Sequence, residues 1–260
     1  MSTLASLATS PDLAERLRLA ALADDEAITR AYGGIVEAIG PGLLLVTGPG
    51  SFLNGLRGVG TAGLTAADLE RAAQVCESAG VTPEVVLPGG VEEETLQQLA
   101  ETGYRLAAVD NVYVIGLPAG EGREAPGVVE VDAERLADWM DVHACQFPDR
   151  SVSDAFALAA HSIEGAVDLL AMCDDQPAGV GSLIVRDGRG LLGGAATDPA
   201  FRGRGLQSTL LRYRLWLAAE MGCDIACCTA ATSGGSARNI ERAGFRLVDV
   251  ELSFRRDRPA

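Results

Sequence analysis

The chain has 260 residues, enough for one large domain or two small ones, and at 48% hydrophobic and 22% charged it has a globular composition able to bury a core. No apolar run approaches the ~20 residues that span a bilayer, and the start lacks a basic segment followed by an apolar one, so no secretory signal and a cytoplasmic location are expected. The net charge of -15 excludes general binding to nucleic acid or anionic lipid, and because all 21 basic residues are arginine, Schiff-base chemistry and a P-loop lysine are excluded too.

In chain order, the first half offers a strand at Leu43–Thr47 and a glycine run at Gly58–Gly63. A helix over Leu69–Ser78 stops at Gly80, and a strand over Val81–Leu87 follows. A helix over Glu92–Glu101 stops at Gly103-Tyr104, and Arg105–Leu117 is strand-like. A polar stretch with glycine and proline, Pro118–Gly127, reads as a linker. The second half opens with a helical region from Ala133 to about Ala160. Two strands, Val167–Cys173 and Ala178–Val185, are joined by the turn Asp174-Asp175-Gln176-Pro177, and a third strand covers Leu191–Thr197. A long helix over Gly205–Met221 stops at Gly222. The strand Asp224–Ala230, the loop Thr232–Ser236, a short helix Ala237–Ala243 ending at Gly244, and a strand Phe245–Phe254 complete the chain.

The halves echo one another. Gly80 and Gly222 lie 142 residues apart, Gly103 and Gly244 lie 141 apart, and the order of helix stops, strands and terminal Gly-aromatic pair is shared. The pattern reads as a duplication, with domains at 1–120 and 127–260.

The six cysteines form no C-x-x-C pair, and with only two histidines, His143 and His161, no metal site is expected. Cys223, Cys227 and Cys228 fall in an apolar run that reads as a buried strand, where free cysteine packs as a small apolar residue.

The sharpest signal is Thr197-Asp198-Pro199-Ala200-Phe201-Arg202-Gly203-Arg204-Gly205-Leu206-Gln207-Ser208, where a strand ends and a helix begins. First-turn amides of a helix have no intrahelical partner, and the helix dipole favours an anion there. Gly203 and Gly205 remove side chains that would hold a phosphate away, and Arg202 and Arg204 add charge-assisted hydrogen bonds. This is the chemistry of a pyrophosphate site. From Arg202 onward the chain holds 10 arginines against 6 acidic residues, whereas 121–201 is net -10 and 1–120 net -9, so the one basic segment is the one that carries this turn.

Arg202-Gly203-Arg204-Gly205-Leu206-Gln207 resembles the R/Q-x-x-G-x-G/A loop of the GCN5-related N-acetyltransferases (GNAT), and Asn239-Ile240-Glu241-Arg242-Ala243-Gly244-Phe245 resembles that family's later short helix ending in Gly-Phe. The resemblance covers Glu130–Phe254 and, through the repeat, extends weakly over Asp12–Leu117. It implies a mixed α/β fold: two tandem GNAT-like halves, each a mixed, mostly antiparallel sheet flanked by helices, the first degenerate. It further implies an acyltransferase moving an acetyl (acyl) group from acetyl-CoA to an amine. Pantetheine would pair with Ala195, Ala196 and Thr197 near a strand bulge. The pyrophosphate would sit on Arg202, Gly203, Arg204, Gly205, Leu206, Gln207 and Ser208, with Asn239 or Ser236 on the pantetheine or adenine side.

Two positions depart from the family pattern. Gln207 replaces a small residue in the loop. Ile240 stands where many members have a tyrosine that protonates the leaving thiolate, so the catalytic acid is unassigned. Shifting the loop by 142 lays Gly60–Thr65 over it, matching Gly63 to Gly205 but without either arginine, so a structural or substrate-framing first half without cofactor is expected. Gly58-Val59-Gly60-Thr61-Ala62-Gly63 reads as G-x-G-x-x-G; the nearest strand, Leu43–Thr47, ends about ten residues earlier, and the repeat accounts for the glycines without a dinucleotide.

Amine attack on a thioester draws on proximity, on a strand-edge amide polarising the carbonyl, and on a base or water chain. Asp249, Glu251 and His143 are candidate bases, none singled out; Asp249 and Glu251 alternate on a strand face that reads as solvated. The region expected to choose the acceptor contains Trp139, His143, Phe147 and His161, and its net -10 points to a small cationic amine. The partners expected are that acceptor and a second copy of the chain, with no nucleic acid and no membrane. The competing reading is a catalytically inactive acyl-CoA-binding sensor or scaffold.

Overall fold

A computed structural model describes residues 11–117, 125, 127–232 and 234–257. Apart from residues 125 and 127, the expected linker over Pro118–Gly127 lies outside the described residues. The fold is mixed α/β, open mixed sheet flanked by helices. It divides into two compact units, one gathering the chain up to Val112 together with Leu247 onward, the other Tyr113–Arg246. The final strand therefore belongs with the N-terminal unit rather than with the half that precedes it in sequence.

The first unit holds α1 (Pro11–Ala31), β1 (Ile35–Ile39), β2 (Gly42–Val46), β3 (Gly55–Arg57), α2 (Ala66–Ser78), β4 (Glu84–Pro88) and α3 (Glu93–Glu101), with the beginning of β5 (Tyr104–Gly116). β1, β2 and β3 pair antiparallel, β3 runs parallel to β4 at Leu56↔Val85, and β4 pairs antiparallel with Glu251–Arg255 of the final strand. Leu44, Leu56, Leu69, Val85, Leu87 and Leu99 form its core with Tyr104 and Phe254. β3 corrects the sequence reading: a strand does run directly into Gly58–Gly63. The helix beyond it is nevertheless closed to an anion. Thr65 caps α2, its hydroxyl accepting from the Asp68 amide while the Asp68 carboxylate accepts from the Thr65 amide at 3.0 Å, a capping box that places a negative charge at the helix entrance.

Asp249 and Glu251, expected on a solvated face, are neither solvated nor in the second unit. Asp249 accepts from Arg18 at 3.0 Å, and Glu251 lines a cavity of about 40 Å³ with Asp25 and Arg57. Loss of water pushes the Asp25 carboxyl from 3.8 up to about 6, against the pull of the Arg57 guanidinium 3.7 Å away. A carboxyl that holds its proton more tightly folded than unfolded loses stability as pH rises from 3.8 through 6 and carries the full penalty above that. Asp25→Asn is expected to raise unfolding stability by about 1 kcal/mol at pH 7 and by nothing below pH 4. Urea unfolding of both proteins at the two pH values measures this, and equal stability at pH 7 would refute the burial cost.

The second unit starts with the end of β5 and continues through β6 (Val128–Glu130), α4 (Leu136–Ala144), α5 (Arg150–His161), β7 (Ala166–Cys173), β8 (Gln176–Arg186), β9 (Arg189–Thr197), α6 (Leu206–Glu220), β10 (Ile225–Ala231) and α7 (Gly235–Arg242); β11 (Arg246–Arg256) follows. The helical region expected over Ala133–Ala160 is two helices. Pro148 cannot extend α4, and Asp149 restarts the chain as N-cap of α5, accepting from the Ser151 amide at 2.9 Å. The β7–β8 turn is tighter than expected: Asp174 and Asp175 alone turn the chain, with φ of 52° and 59°, the left-handed pair of a two-residue hairpin.

β6 to β9 pair antiparallel in order. Between β8 and β9 the register slips: Val180 faces Ala196 but Ser182 faces Gly193, so Gly194 and Ala195 together oppose Gly181. This is a β-bulge. β9 and β10 run parallel only over Arg189–Leu191 with Ile225–Cys227. Beyond that both strands continue without pairing to each other, and the sheet splays open. Trp139, Val142, Ala157, Leu170, Val180 and Ala196 pack on one face; Leu183, Leu211, Ala218, Cys228 and Ile240 pack on the other.

Candidate functional site

Asp198 ends β9 by capping a single 3-10 turn, Pro199–Phe201, its carboxylate accepting from the Ala200 amide at 2.7 Å. The chain then reaches Gly205, the N-cap of α6, at φ 79°. That left-handed conformation penalises any side chain, and no atom lies within 4 Å of where a Cβ would stand. No side chain caps this helix. The first intrahelical bond is that of the Thr209 amide to Gly205 oxygen at 3.0 Å, so the amides of Leu206, Gln207 and Ser208 open outward. α2 has its entrance filled by Thr65 and Asp68; α6 has its entrance bare.

A cleft of about 790 Å³ lies over these amides. Of the residues expected to bind cofactor, Ala195, Ala196, Thr197, Arg202, Gly203, Gly205, Leu206, Gln207, Ser208 and Asn239 all line it, as does Ser236. Arg204 does not. It turns to the β7–β8 hairpin, donating to Asp174 at 2.7 Å and lying over the Phe201 ring at 5.3 Å. The cleft adds residues that the motif did not reveal: Cys145 and Gln146 after α4, Phe201, Gly235, and Arg242 on α7. Arg202 and Arg242 line it, no carboxylate does, and among the described residues neither arginine has an acidic partner. Arg242 had a local signal, since it sits three residues after Asn239 and so shares its helix face.

The splay beyond the last β9–β10 pair forms a narrower cavity of about 150 Å³, sharing Ala195, Gln207, Ser236 and Asn239 with the cleft. Leu192, Gly193, Gly194, Cys228, Thr229, Leu211, Arg214 and Ile240 complete its wall. Burial pushes the Cys228 thiol up to about 12, which keeps it protonated and inert as a nucleophile. Ile240 puts an apolar group on the cavity wall.

The histidines divide. His143, a candidate base, is buried, stacked on Trp139 at 4.6 Å, and hydrogen-bonded through Nδ1 to Ser153 Oγ at 3.1 Å. Burial lowers its pKa to about 4, so it is a neutral core side chain. His161, at the end of α5, reaches the buried Asp168 at 2.7 Å, and Asp168 also accepts from Ser182 Oγ at 2.5 Å. Ser182 in turn lies beside Gly194 of the bulge, its Oγ 2.6 Å from where a Cβ would stand. A hydrogen-bonded chain thus runs from His161 through Asp168 to Ser182, which packs beside the bulge.

Among the described residues no group of three or more His, Cys, Asp or Glu is placed to hold a metal, and no helix is long and apolar enough to cross a membrane. Residues 135–245 match the model of the acetyltransferase (GNAT) family. A GCN5-related N-acetyltransferase from Kribbella flavida superposes with a TM-score of 0.70 at 17% identity, covering 95% of this chain and 96% of that one. A GNAT-family acetyltransferase from Novosphingobium aromaticivorans gives 0.58 at 18% identity over 89% and 97%. A tandem GNAT protein from the clavulanic acid biosynthesis pathway gives 0.57 at 15% identity over 85% and 80%. At these identities the likeness is one of fold. No protein of curated function matches the chain.

Proposed function

We propose that this chain, whose residues 135–245 match the model of the GNAT acetyltransferase family, transfers an acyl group, acetyl in the simplest case, from acyl-CoA to the amine of a small cationic acceptor. One observation carries the reading: among the described residues, three bare helix amides and two arginines without an acidic partner line one cleft to which no carboxylate contributes. That arrangement suits a diphosphate. Arg202, Gly203, Gly205, Leu206, Gln207, Ser208 and Arg242 would hold it. Ala195, Ala196 and Thr197 would present strand edge to the pantetheine arm, with Asn239 and Ser236 on the opposite wall.

The acceptor nitrogen attacks the thioester carbon, the C–N bond forms, and the C–S electron pair leaves on sulfur. A backbone amide at the bulge would polarise the carbonyl. The proton lost by nitrogen passes to solvent. The preference for a cationic acceptor rests on the net charge of -10 over 121–201. Acetylation assays over a panel of amines test it, and a clear preference for anionic acceptors would count against it.

The departure of Arg204 from the cleft sharpens the test of the site. Arg202→Ala is expected to weaken CoA binding by about tenfold or more, whereas Arg204→Ala should leave it within about twofold, because that guanidinium is committed to an exposed pair. Calorimetric titration with CoA measures both. Undiminished affinity in Arg202→Ala would remove the basis of the reading.

Ile240 on the cavity wall, a side chain that cannot protonate a thiolate, favours a second reading: an acyl-CoA-binding module without turnover. Thermal stabilisation by CoA with no consumption of thioester in the presence of any amine would select it.

A further inference from the structure

We propose that the splay cavity selects an acyl chain ending in a carboxylate, the half-thioester of a short dicarboxylic acid with coenzyme A, and that Arg214 binds that carboxylate. The inference rests on the acyl-CoA reading above and names its donor class.

Arg214 occupies a position where a helix buries apolar side chains. The row Leu206, Leu210, Arg214, Ala218 repeats every four residues along α6 and faces the sheet. Arg214 is 3% exposed. Its Nη1 donates to the carbonyls of Ser182 at 3.2 Å and Gly193 at 3.1 Å, and its Nε donates to Leu210 oxygen at 3.3 Å. Gly181 leaves room for it, since a Cβ there would come within 2.9 Å of the guanidinium carbon. Every one of these partners is a neutral carbonyl. Among the described residues no carboxylate pairs with Arg214, and its Nη2 makes no hydrogen bond. Burial pulls its pKa down to about 10, which leaves it charged at neutral pH.

A cation taken out of water without a counter-charge is strongly unfavourable unless something else supplies the charge. Here Arg214 lines the splay cavity, whose remaining wall is glycine, alanine, leucine, isoleucine, a protonated thiol and neutral polar groups. The cavity adjoins the diphosphate cleft and lies deeper along α6: Arg214 is eight residues past Leu206, about 12 Å at 1.5 Å per residue. A ligand whose diphosphate rests on the helix entrance directs its acyl end toward Arg214. An acetyl group leaves the guanidinium uncompensated. A terminal carboxylate supplies the missing charge and accepts from Nη2, the guanidinium nitrogen that the carbonyls leave free.

Succinyl-CoA and butyryl-CoA have acyl chains of equal length and differ in the terminal carboxylate. Titrated calorimetrically into the full chain, succinyl-CoA is expected to bind at least about tenfold more tightly. Arg214→Met should bring the ratio near one, and Arg214→Lys, which keeps the charge without the planar group that the three carbonyls hold in place, should fall between. Equal affinities in the unmodified protein overturn the proposal without any variant, so it stays testable even if Arg214→Met fails to fold. A preference that persists in Arg214→Met also overturns it, as does equal binding combined with loss of turnover for every acyl chain, which would assign the charge to the departing thiolate. Should neither CoA nor any acyl-CoA bind, the functional reading itself falls; CoA binding without chain discrimination removes only this inference.

Discussion

Gly194→Val is expected to reduce coenzyme A affinity by about a hundredfold or more and to lower the unfolding midpoint of the protein. Gly194 holds φ 57°, and a Cβ there would stand 2.6 Å from Ser182 Oγ and 3.3 Å from Ser182 Cβ. The left-handed conformation costs an L-residue about 1–2 kcal/mol by itself, and valine adds branching at the point of contact. The bulge has two ways to respond. It can push Ser182 aside and break the hydrogen bond to Asp168, or it can collapse into regular pairing. Collapse shifts β9 by one residue against β8, and a one-residue slip turns every following side chain to the opposite face. Ala195, Ala196 and Thr197 would then no longer present the same edge to the cleft. Gly194→Ala should show a milder loss, and Ser182→Ala in that background should restore part of it by removing the closest atom. Affinity by calorimetry and stability by thermal unfolding read both effects; full coenzyme A binding by Gly194→Val would show that the bulge does not shape the site.

The largest expected loss of stability is from Trp139→Ala, about 3–5 kcal/mol. Trp139 is 1% exposed and packs with Val142, Ala157, Leu170, Val180 and Ala196. Truncation leaves a cavity between α4 and the sheet, and it unstacks His143. Trp139→Phe should cost much less, because the ring is largely retained and the indole Nε1, which has no hydrogen-bond partner, is removed with it. Denaturant titrations of the three proteins give the differences directly. The alanine variant should also bind coenzyme A less tightly, since Ala196 of β9 loses its backing. An alanine variant within about 1 kcal/mol of the parent would mean that this packing is dispensable.

How much of this could be read from sequence depends on the range of the interaction. Strand β9, the turn through Gly203 and Gly205, and helix α6 were legible because each is specified within a few residues: an apolar run, glycines free of Cβ, and a helix start without a capping side chain. The stop at Gly222 and the short helix before Gly244 were legible for the same reason. The break between α4 and α5 has the local signal Pro148-Asp149, outweighed by helical spacing on both sides. β3 is three residues long and carries no period that could announce it.

Charge was the least legible property. Arg202 and Arg204 are equivalent in sequence, yet one faces the cleft and the other pairs with Asp174, thirty residues earlier on a hairpin. His143 reads as a candidate base, and the stacking of Trp139 and Phe156 on it makes it core. Asp249 and Glu251 alternate as a solvated face would, but packing in the first unit gives Asp249 an arginine partner and buries Glu251 beside Asp25. Arg214 counted as one more basic residue in a basic segment, although its place in the row Leu206, Leu210, Ala218 was visible.

The sequence by itself determined most of the helices and strands from α2 onward and the uncapped, glycine-flanked start of α6, because backbone geometry and capping are decided between neighbours along the chain. Tertiary structure alone decided which arginine reaches the cleft, that β11 completes the first unit, that the sheet splays beyond Leu191, and that Arg214, with no carboxylate partner among the described residues, lines the opening. Those outcomes follow from strand register and from the exclusion of water, and both depend on residues that meet only when the chain has folded.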